Sequence, residues 1–314
     1  MPLSDDLAFI TSQVNLWTGA VLFIVGSIGA LLNMFVFMQR TLRTSSCSIY
    51  LFTASFFDLC HLTSTLLTRI LLTLSIETYT KNEVHCRIRS FIAEVASLCS
   101  LSCLCWGAFD RCMSTSRNVF HRRWSSRWLA YRIIPTTLIV WSLISTPQLI
   151  FRGLIYNTCA SLSVNFTLYL NYAHVPFFYG FLPVTVLFCL RQRTMKNIQN
   201  IQHAVAARRR LERYLNRMLV LQVSLTLFTS ALLMIQSLYT AITLSTRKGV
   251  LHIAIENLCL QVVRLIFYLN YTSSFYINYS VSAEVRLIIK RLFTCNRVHR
   301  IEPLTTVDRV VRDP

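Results

Sequence analysis

Seven stretches of apolar sequence, each close to the length a helix needs to cross a bilayer, leave little room for any other architecture. A hydrocarbon core of about 30 Å takes roughly 20 helical residues. The stretches are Leu16–Met38, Ile49–Leu74, Ile92–Met113, Ile133–Ile150, Tyr172–Leu190, Met218–Leu244 and Leu251–Val281. The third is rich in Ser and Cys and the seventh in polar residues, yet both keep the length and apolar content of a crossing. The expected fold is therefore all-α, a seven-transmembrane helix bundle. Composition agrees, since only 14% of the 314 residues are charged, against about 25% in a soluble domain. Lipid can solvate such a surface where water cannot.

The charges that remain are mostly basic, 31 Lys and Arg against 13 Asp and Glu. A balance this positive can mark a nucleic-acid partner or loops facing an anionic leaflet. The basic residues fall between apolar runs, which favours the membrane. Arg40 and Arg43 follow the first run, Arg117, Arg122, Arg123, Arg127 and Arg132 the third. Arg191, Arg193, Lys196, Arg208, Arg209, Arg210, Arg213 and Arg217 follow the fifth, and Arg286, Lys290, Arg291, Arg297 and Arg300 the seventh. The opposite side holds only Lys81, Arg87, Arg89, Arg152, Arg247 and Lys248. Positive loops stay inside, so residues 1–15 are expected to be extracellular and the chain to be a multi-pass plasma-membrane protein. No basic residue precedes the first run, so a secretory signal is not expected there, and the first helix would act as its own insertion signal.

Beyond residues 16–281, the segment 282–295 holds a shorter pattern. Val285, Ile288, Ile289 and Leu292 alternate at helical spacing with Arg286, Lys290 and Arg291, as in an amphipathic helix lying on the inner leaflet. Cys295 follows, either as a palmitoylation site or as an ordinary cytosolic thiol. Residues 296–314 read as a cytoplasmic tail. Most other cysteines sit inside apolar runs as small core residues, without the paired spacing of a zinc site.

Ionisable groups within a membrane are costly and suggest function. They are Asp58 in the second run, Asp110 and Arg111 ending the third, and Arg69, Glu94 and Arg264 towards the outside. The bland alternative is that they pair with one another or snorkel from helix ends. Cys86 and Arg111 are about 37 Å apart along a helix, so one is at each mouth of the bundle. The next outward loop holds Cys159. Outside, the two cysteines form either a disulfide, the expected state in an oxidising compartment, or two free thiols. Asn165, in Asn165-Phe-Thr167, can accept a glycan. Asn270 and Asn278 match the same pattern but lie within the seventh run.

In order along these helices stand Gly29-Ala-Leu-Leu-Asn33, Leu51-Phe-Thr-Ala-Ser-Phe-Phe-Asp58, Asp110-Arg111-Cys112, Trp141 with Pro147, and Pro183. Together they resemble the rhodopsin-like (class A) G-protein-coupled receptors, with this chain a divergent member, over about Leu16 to Cys295. The resemblance implies an Asp110–Arg111 coupling switch, with Tyr279 as the nearest match to the family's helix-7 tyrosine. It also implies a sodium ion as an allosteric ligand, at Asp58, Ser100, Asn270 and Ser274; the alternative there is a water-filled hydrogen-bond cluster. No other cofactor is expected. The ligand pocket would open between Arg69, Glu94 and Arg264, and an acid with two bases suits a peptide, such as a neuropeptide. The alternative is an ion pair of Glu94 with Arg264 or Arg69 that ties helices together.

Several elements of the family pattern are replaced. In the sixth run Phe228 aligns, but Ala231, Leu232 and Met234 occupy the Cys, Trp and Pro positions. The seventh run has Ser274-Phe-Tyr-Ile-Asn278 without the proline, and only Glu212 is near the base of the sixth as an acid for the inner lock. With Arg264 as the seventh run's only strong base, no lysine can form a retinal Schiff base. Ala93 stands where amine receptors carry an aspartate. The expected partners are a heterotrimeric G protein, an extracellular ligand and membrane lipid, with no nucleic acid. A seven-helix transporter or channel is the competing class; a membrane enzyme is disfavoured by the lack of HExxH, GxSxG or paired intramembrane aspartates.

Overall fold

The computed structural model describes residues 2–39, 42–43, 45–73, 82–116, 118–155, 158–199, 206–243, 246 and 248–294. Cys295 and the tail lie outside them, as do the side chains of Glu212 and Arg208–Arg210. Nearly everything described is helical: α1 (Pro2–Met38), α2 (Ser46–Leu62), α3 (Thr68–Thr73), α4 (Glu83–Ser114), α5 (Val119–Arg123), α6 (Arg127–Phe151), α7 (Val164–Tyr169), α8 (Leu182–Gln199), α9 (Ala206–Ile242), α10 (Val250–Thr272), α11 (Ser274–Val281) and α12 (Ala283–Thr294). A β-hairpin, β1 (Arg152–Ile155) and β2 (Thr158–Ser161), follows α6, with Leu154 opposite Cys159.

Six helical spans are long and apolar enough to cross a membrane, which suggests a membrane protein. Their outward faces agree: Trp17, Ile24, Leu143, Phe228 and Ile235 are all more than half exposed, a surface that water would penalise and lipid would not. The second expected crossing is an interrupted helix, α2 running through a π-helical turn (Thr63–Leu67) into α3. The hydroxyls of Thr63, Ser64 and Thr65 bond back to carbonyls at Leu59, Cys60 and His61 where the interruption begins. The fifth is interrupted as well, with a π-helical stretch at Leu170–Phe181 between α7 and α8, and Pro176 lies inside it. Pro183 stands at the start of α8. A π stretch forms where an extra residue must be absorbed.

The seventh run breaks without a proline. Ser273 separates α10 from α11 at φ −82°, ψ −17°, so the backbone stays helical in hand while the ladder is interrupted.

Side chains define the helix starts. Asn82 Oδ1 accepts from the amides of Val84 and His85, Asn118 Oδ1 from Phe120, and Ser126 Oγ from Leu129, each satisfying orphan donors. In α6 Arg132 lies over the exposed Trp128 ring, 3.5 Å from its centroid, and at the other end Arg152 Nε donates to Gln148 Oε1 at 3.0 Å.

The bundle is organised around α4. Residues 95–101 are buried all round, which no lipid-facing helix achieves. Its small residues, Ala96, Ser97, Cys99, Ser100 and Cys103, let α2, α6 and α8 approach closely. This accounts for the Ser and Cys enrichment of the third run. α1 packs on α2 and α10 through Gly26, where a Cβ would stand 2.6 Å from Thr272 Cγ2 and 2.7 Å from Leu62 Cδ1. Two buried clusters fill the interior: one around Leu62, Leu98, Trp141, Tyr179 and Tyr268, the other around Phe37, Leu51, Leu104, Leu187 and Met218. α12 joins the second through Val285 and Ile289.

Candidate functional site: a cavity and a buried ion pair on one helix

Cys86, in the first turns of α4, and Cys159, in β2, form a disulfide with Cα atoms 5.7 Å apart. It ties the hairpin across the mouth of a cavity of about 710 Å³ between α2, α4, α6, the π-helical stretch, α9 and α10. Arg69, Glu94 and Arg264, expected here from the sequence, all line it. Arg89 and Arg152 do so as well.

Glu94 pairs with neither Arg69 nor Arg264. Its Oε1 lies 2.7 Å from His174 Nε2, and its Oε2 accepts from Gln148 Nε2. Arg69 Nη1 donates to Gln261 Oε1 at 2.9 Å, and Gln261 Nε2 in turn to Asn15 Oδ1 at 2.5 Å. The exposed area of Arg264 faces the cavity. Among the described residues neither Arg264 nor Arg89 meets a carboxylate, and each feels the repulsion of Arg69 and Arg152. Burial holds the Arg152 guanidinium below the ordinary arginine range, with Glu94 acting in the opposite direction. Beneath, His61 Nδ1 lies 2.9 Å from the Ala93 carbonyl oxygen, and Ser97 Oγ is 2.6 Å from the Tyr271 hydroxyl.

Sequence reasoning counted Arg89 and Arg152 only as loop-side charges and missed His174, Gln148 and Gln261. The spacing of Gln148 and Arg152, one helical turn, was a usable signal; His174 within an apolar run was another.

Midway down the bundle, Asp58 is buried and accepts from Ser100 Oγ. Asn270 and Ser274 make their hydrogen bonds elsewhere. Asn270 Nδ2 donates to Thr229 Oγ1 at 2.7 Å, and Ser274 Oγ accepts from Asn33 Nδ2 at 3.2 Å. Asn33 also donates to Ser55 Oγ at 2.6 Å and accepts from Asn278 Nδ2 at 2.6 Å, linking α1, α2 and α11. The Oδ1 of Asn270 is buried with no hydrogen-bond partner in the protein. A carboxylate, a hydroxyl and an orphaned amide oxygen are donor types that suit a hard cation, although no contact joins Asn270 to Asp58 or Ser100 among the described residues. Asp58, Ser100 and Asn270 fit that requirement, whereas Ser274 is engaged by Asn33.

At the far end of α4, Asp110 and Arg111 are 3% and 7% exposed. Arg111 Nη2 donates to Asp110 Oδ2 at 2.8 Å and to Ser45 Oγ at 3.0 Å. Asp110 Oδ1 accepts from Ser46 at 2.5 Å and from Ser125 at 2.8 Å. The pair is thus clasped by serines from the start of α2 and from the segment before α6. Tyr279 is 38% exposed, its ring 6.0 Å from that of Phe275, and the structure does not join it to this clasp. Asn165 is exposed on α7, whereas Asn270 and Asn278 are buried.

No family model matches the chain, and no curated protein matches it.

Proposed function

We propose that this chain is a rhodopsin-like G-protein-coupled receptor, binding an extracellular ligand in the arginine-lined cavity and a heterotrimeric G protein at the Asp110–Arg111 end. The observation that carries the reading is that one central helix bears both elements. Glu94 stands in a cavity near its start, and a buried, serine-clasped Asp110–Arg111 pair stands at its end. A helix whose middle, residues 95–101, is buried all round can pass a change at one end to the other. The order of motifs along the chain supports the same reading. In it, α2 with its π turn and α3 make the second of seven crossings, added to the six long spans; the disulfide end faces outside the cell, and α12 lies along the inner leaflet. Where a sodium ion binds, Asp58, Ser100 and Asn270 would hold it, and its charge would offset that of Asp58 between the two ends. In the resting state Asp110 holds Arg111; on activation Arg111 turns towards the G protein.

One observation favours a transporter or channel instead: the interruptions at Ser273 and in the π stretches, since discontinuous helices line many transport sites. A single experiment separates the two. Receptor purified in nanodiscs should capture a heterotrimeric G protein and release it on adding a non-hydrolysable GTP analogue. A panel of G-protein families that gives no nucleotide-sensitive complex would refute the receptor reading.

A further inference from the structure

We propose that the cavity recognises a small organic ligand carrying about two negative charges, as a dicarboxylate or a phosphate monoester, rather than a cationic or zwitterionic one. The inference deepens the receptor reading and rests on it for the ligand's signalling role, though not for binding. Among the described residues, four guanidiniums, those of Arg69, Arg89, Arg152 and Arg264, share the cavity with a single carboxylate, Glu94. That carboxylate is already engaged: one oxygen of Glu94 meets His174 and the other accepts from Gln148. Among the described residues, a cation entering the cavity therefore finds no acid besides Glu94 and meets four like charges.

An anion meets the reverse. Arg69 and Arg152 each keep donors beyond their single bonds to Gln261 and Gln148, because a guanidinium carries five N–H groups. Arg89 and Arg264 have no carboxylate among the described residues, and each lies within electrostatic reach of Arg69 and Arg152. An oxyanion can be gripped by two parallel hydrogen bonds from such a fork. It also offsets the mutual repulsion that a single guanidinium would not suffer. About two negative charges are inferred because one monoanion cannot balance an excess of three positive charges, taking Glu94 against the four arginines. The ligand is organic because Val263, Phe267 and Tyr268 line the same wall. A cavity of about 710 Å³ lies in the range that small-molecule ligands fill.

The test uses the whole chain in nanodiscs of zwitterionic lipid, without a G protein, and reads the melting temperature. Glutarate and phenyl phosphate are the soluble probes, with sodium chloride at equal ionic strength and putrescine as controls. A second preparation incorporates phosphatidic acid with no soluble probe. A saturable rise with either soluble probe and none with putrescine is the expected result, and identifies a free ligand. A rise confined to phosphatidic acid supports the same chemistry supplied from a lipid headgroup. Arg264→Gln should weaken the probe's apparent affinity about tenfold or more, the loss expected for a hydrogen bond to a charged group. Arg89→Gln serves as the second variant where Arg264→Gln does not fold. Equal effects of chloride and both probes, a response to putrescine, or affinity unchanged in the arginine variants overturns the proposal. Failure here leaves G-protein capture untouched, and failure of capture leaves anion binding untouched.

Discussion

His174 Nε2 lies 2.7 Å from Glu94 Oε1, joining the π-helical stretch Leu170–Phe181 to the central helix α4. Both side chains are enclosed, 3% and 10% exposed. His174 Nε2 makes no directed hydrogen bond to that oxygen, so His174→Ala removes a close polar contact and should lower stability by about 1 kcal/mol. Adding Glu94→Gln should recover part of that loss, because the enclosed charge is then gone. Thermal unfolding of the purified protein reads both, and an unchanged midpoint in His174→Ala would show that the contact contributes nothing.

The clasp at the other end of α4 predicts opposite phenotypes for adjacent residues. Arg111→Ala should abolish G-protein activation while surface expression is largely kept. Asp110→Asn should weaken the hold on Arg111 and raise ligand-independent activation. A nucleotide-exchange assay on membranes matched for receptor number measures both. Equal basal activity in Asp110→Asn and the parent would remove Asp110 from the switch.

Cys86 and Cys159 are 73 residues apart in sequence, so opening the bond frees a long loop in the unfolded chain. Loop-closure entropy gives a loss of about 4 kcal/mol for a span of that size. Cys86→Ser should therefore lower the unfolding midpoint, and neither cysteine should react with a thiol reagent before reduction.

Gly26 predicts a packing failure. With Thr272 Cγ2 at 2.6 Å from a built Cβ, Gly26→Leu should force α1 away from α10 and cost about 1–3 kcal/mol or more, as overpacking does. Gly19, whose nearest neighbour is 3.9 Å away, should tolerate alanine at the same depth of the assay.

The exposed Asn165 should carry the glycan if the disulfide end is extracellular. A glycosidase should shift the mobility of the parent but not of Asn165→Gln, whereas Asn270→Gln should behave as the parent. A glycan on Asn270 would refute the topology, because it would take that residue out of a membrane-crossing helix.

Much of the architecture was legible because it rests on single-residue chemistry. Runs of apolar residues announced the helices, and the Cys86–Cys159 bond was readable because few cysteines lie outside those runs. The three charged residues assigned to the cavity do line it. Their partners were not readable, since they depend on register between distant helices. Glu94 meets His174 because the fifth run passes through a π stretch, and no propensity rule places an extra residue in a turn. The break at Ser273 was hidden for a related reason: serine is compatible with an unbroken helix, so only the tertiary setting reveals the interruption. Arg89 and Arg152 looked like loop charges because position along the sequence does not say whether a helix end points over a cavity.

Two arginines that flank the apolar part of α6, Arg132 within the helix and Arg152 just beyond it, have a consequence for the membrane itself. Arg132, stacked on Trp128, and Arg152, bonded to Gln148, bracket an apolar length of about 28 Å at the helical rise. That nearly equals the hydrocarbon thickness of an ordinary bilayer, about 30 Å. With a cation at either limit and an indole at one of them, α6 has no slack to draw on in a thicker, sterol-rich bilayer. There the lipid must thin locally around it or an arginine must leave its partner, so the helix sets the bilayer thickness at its own perimeter.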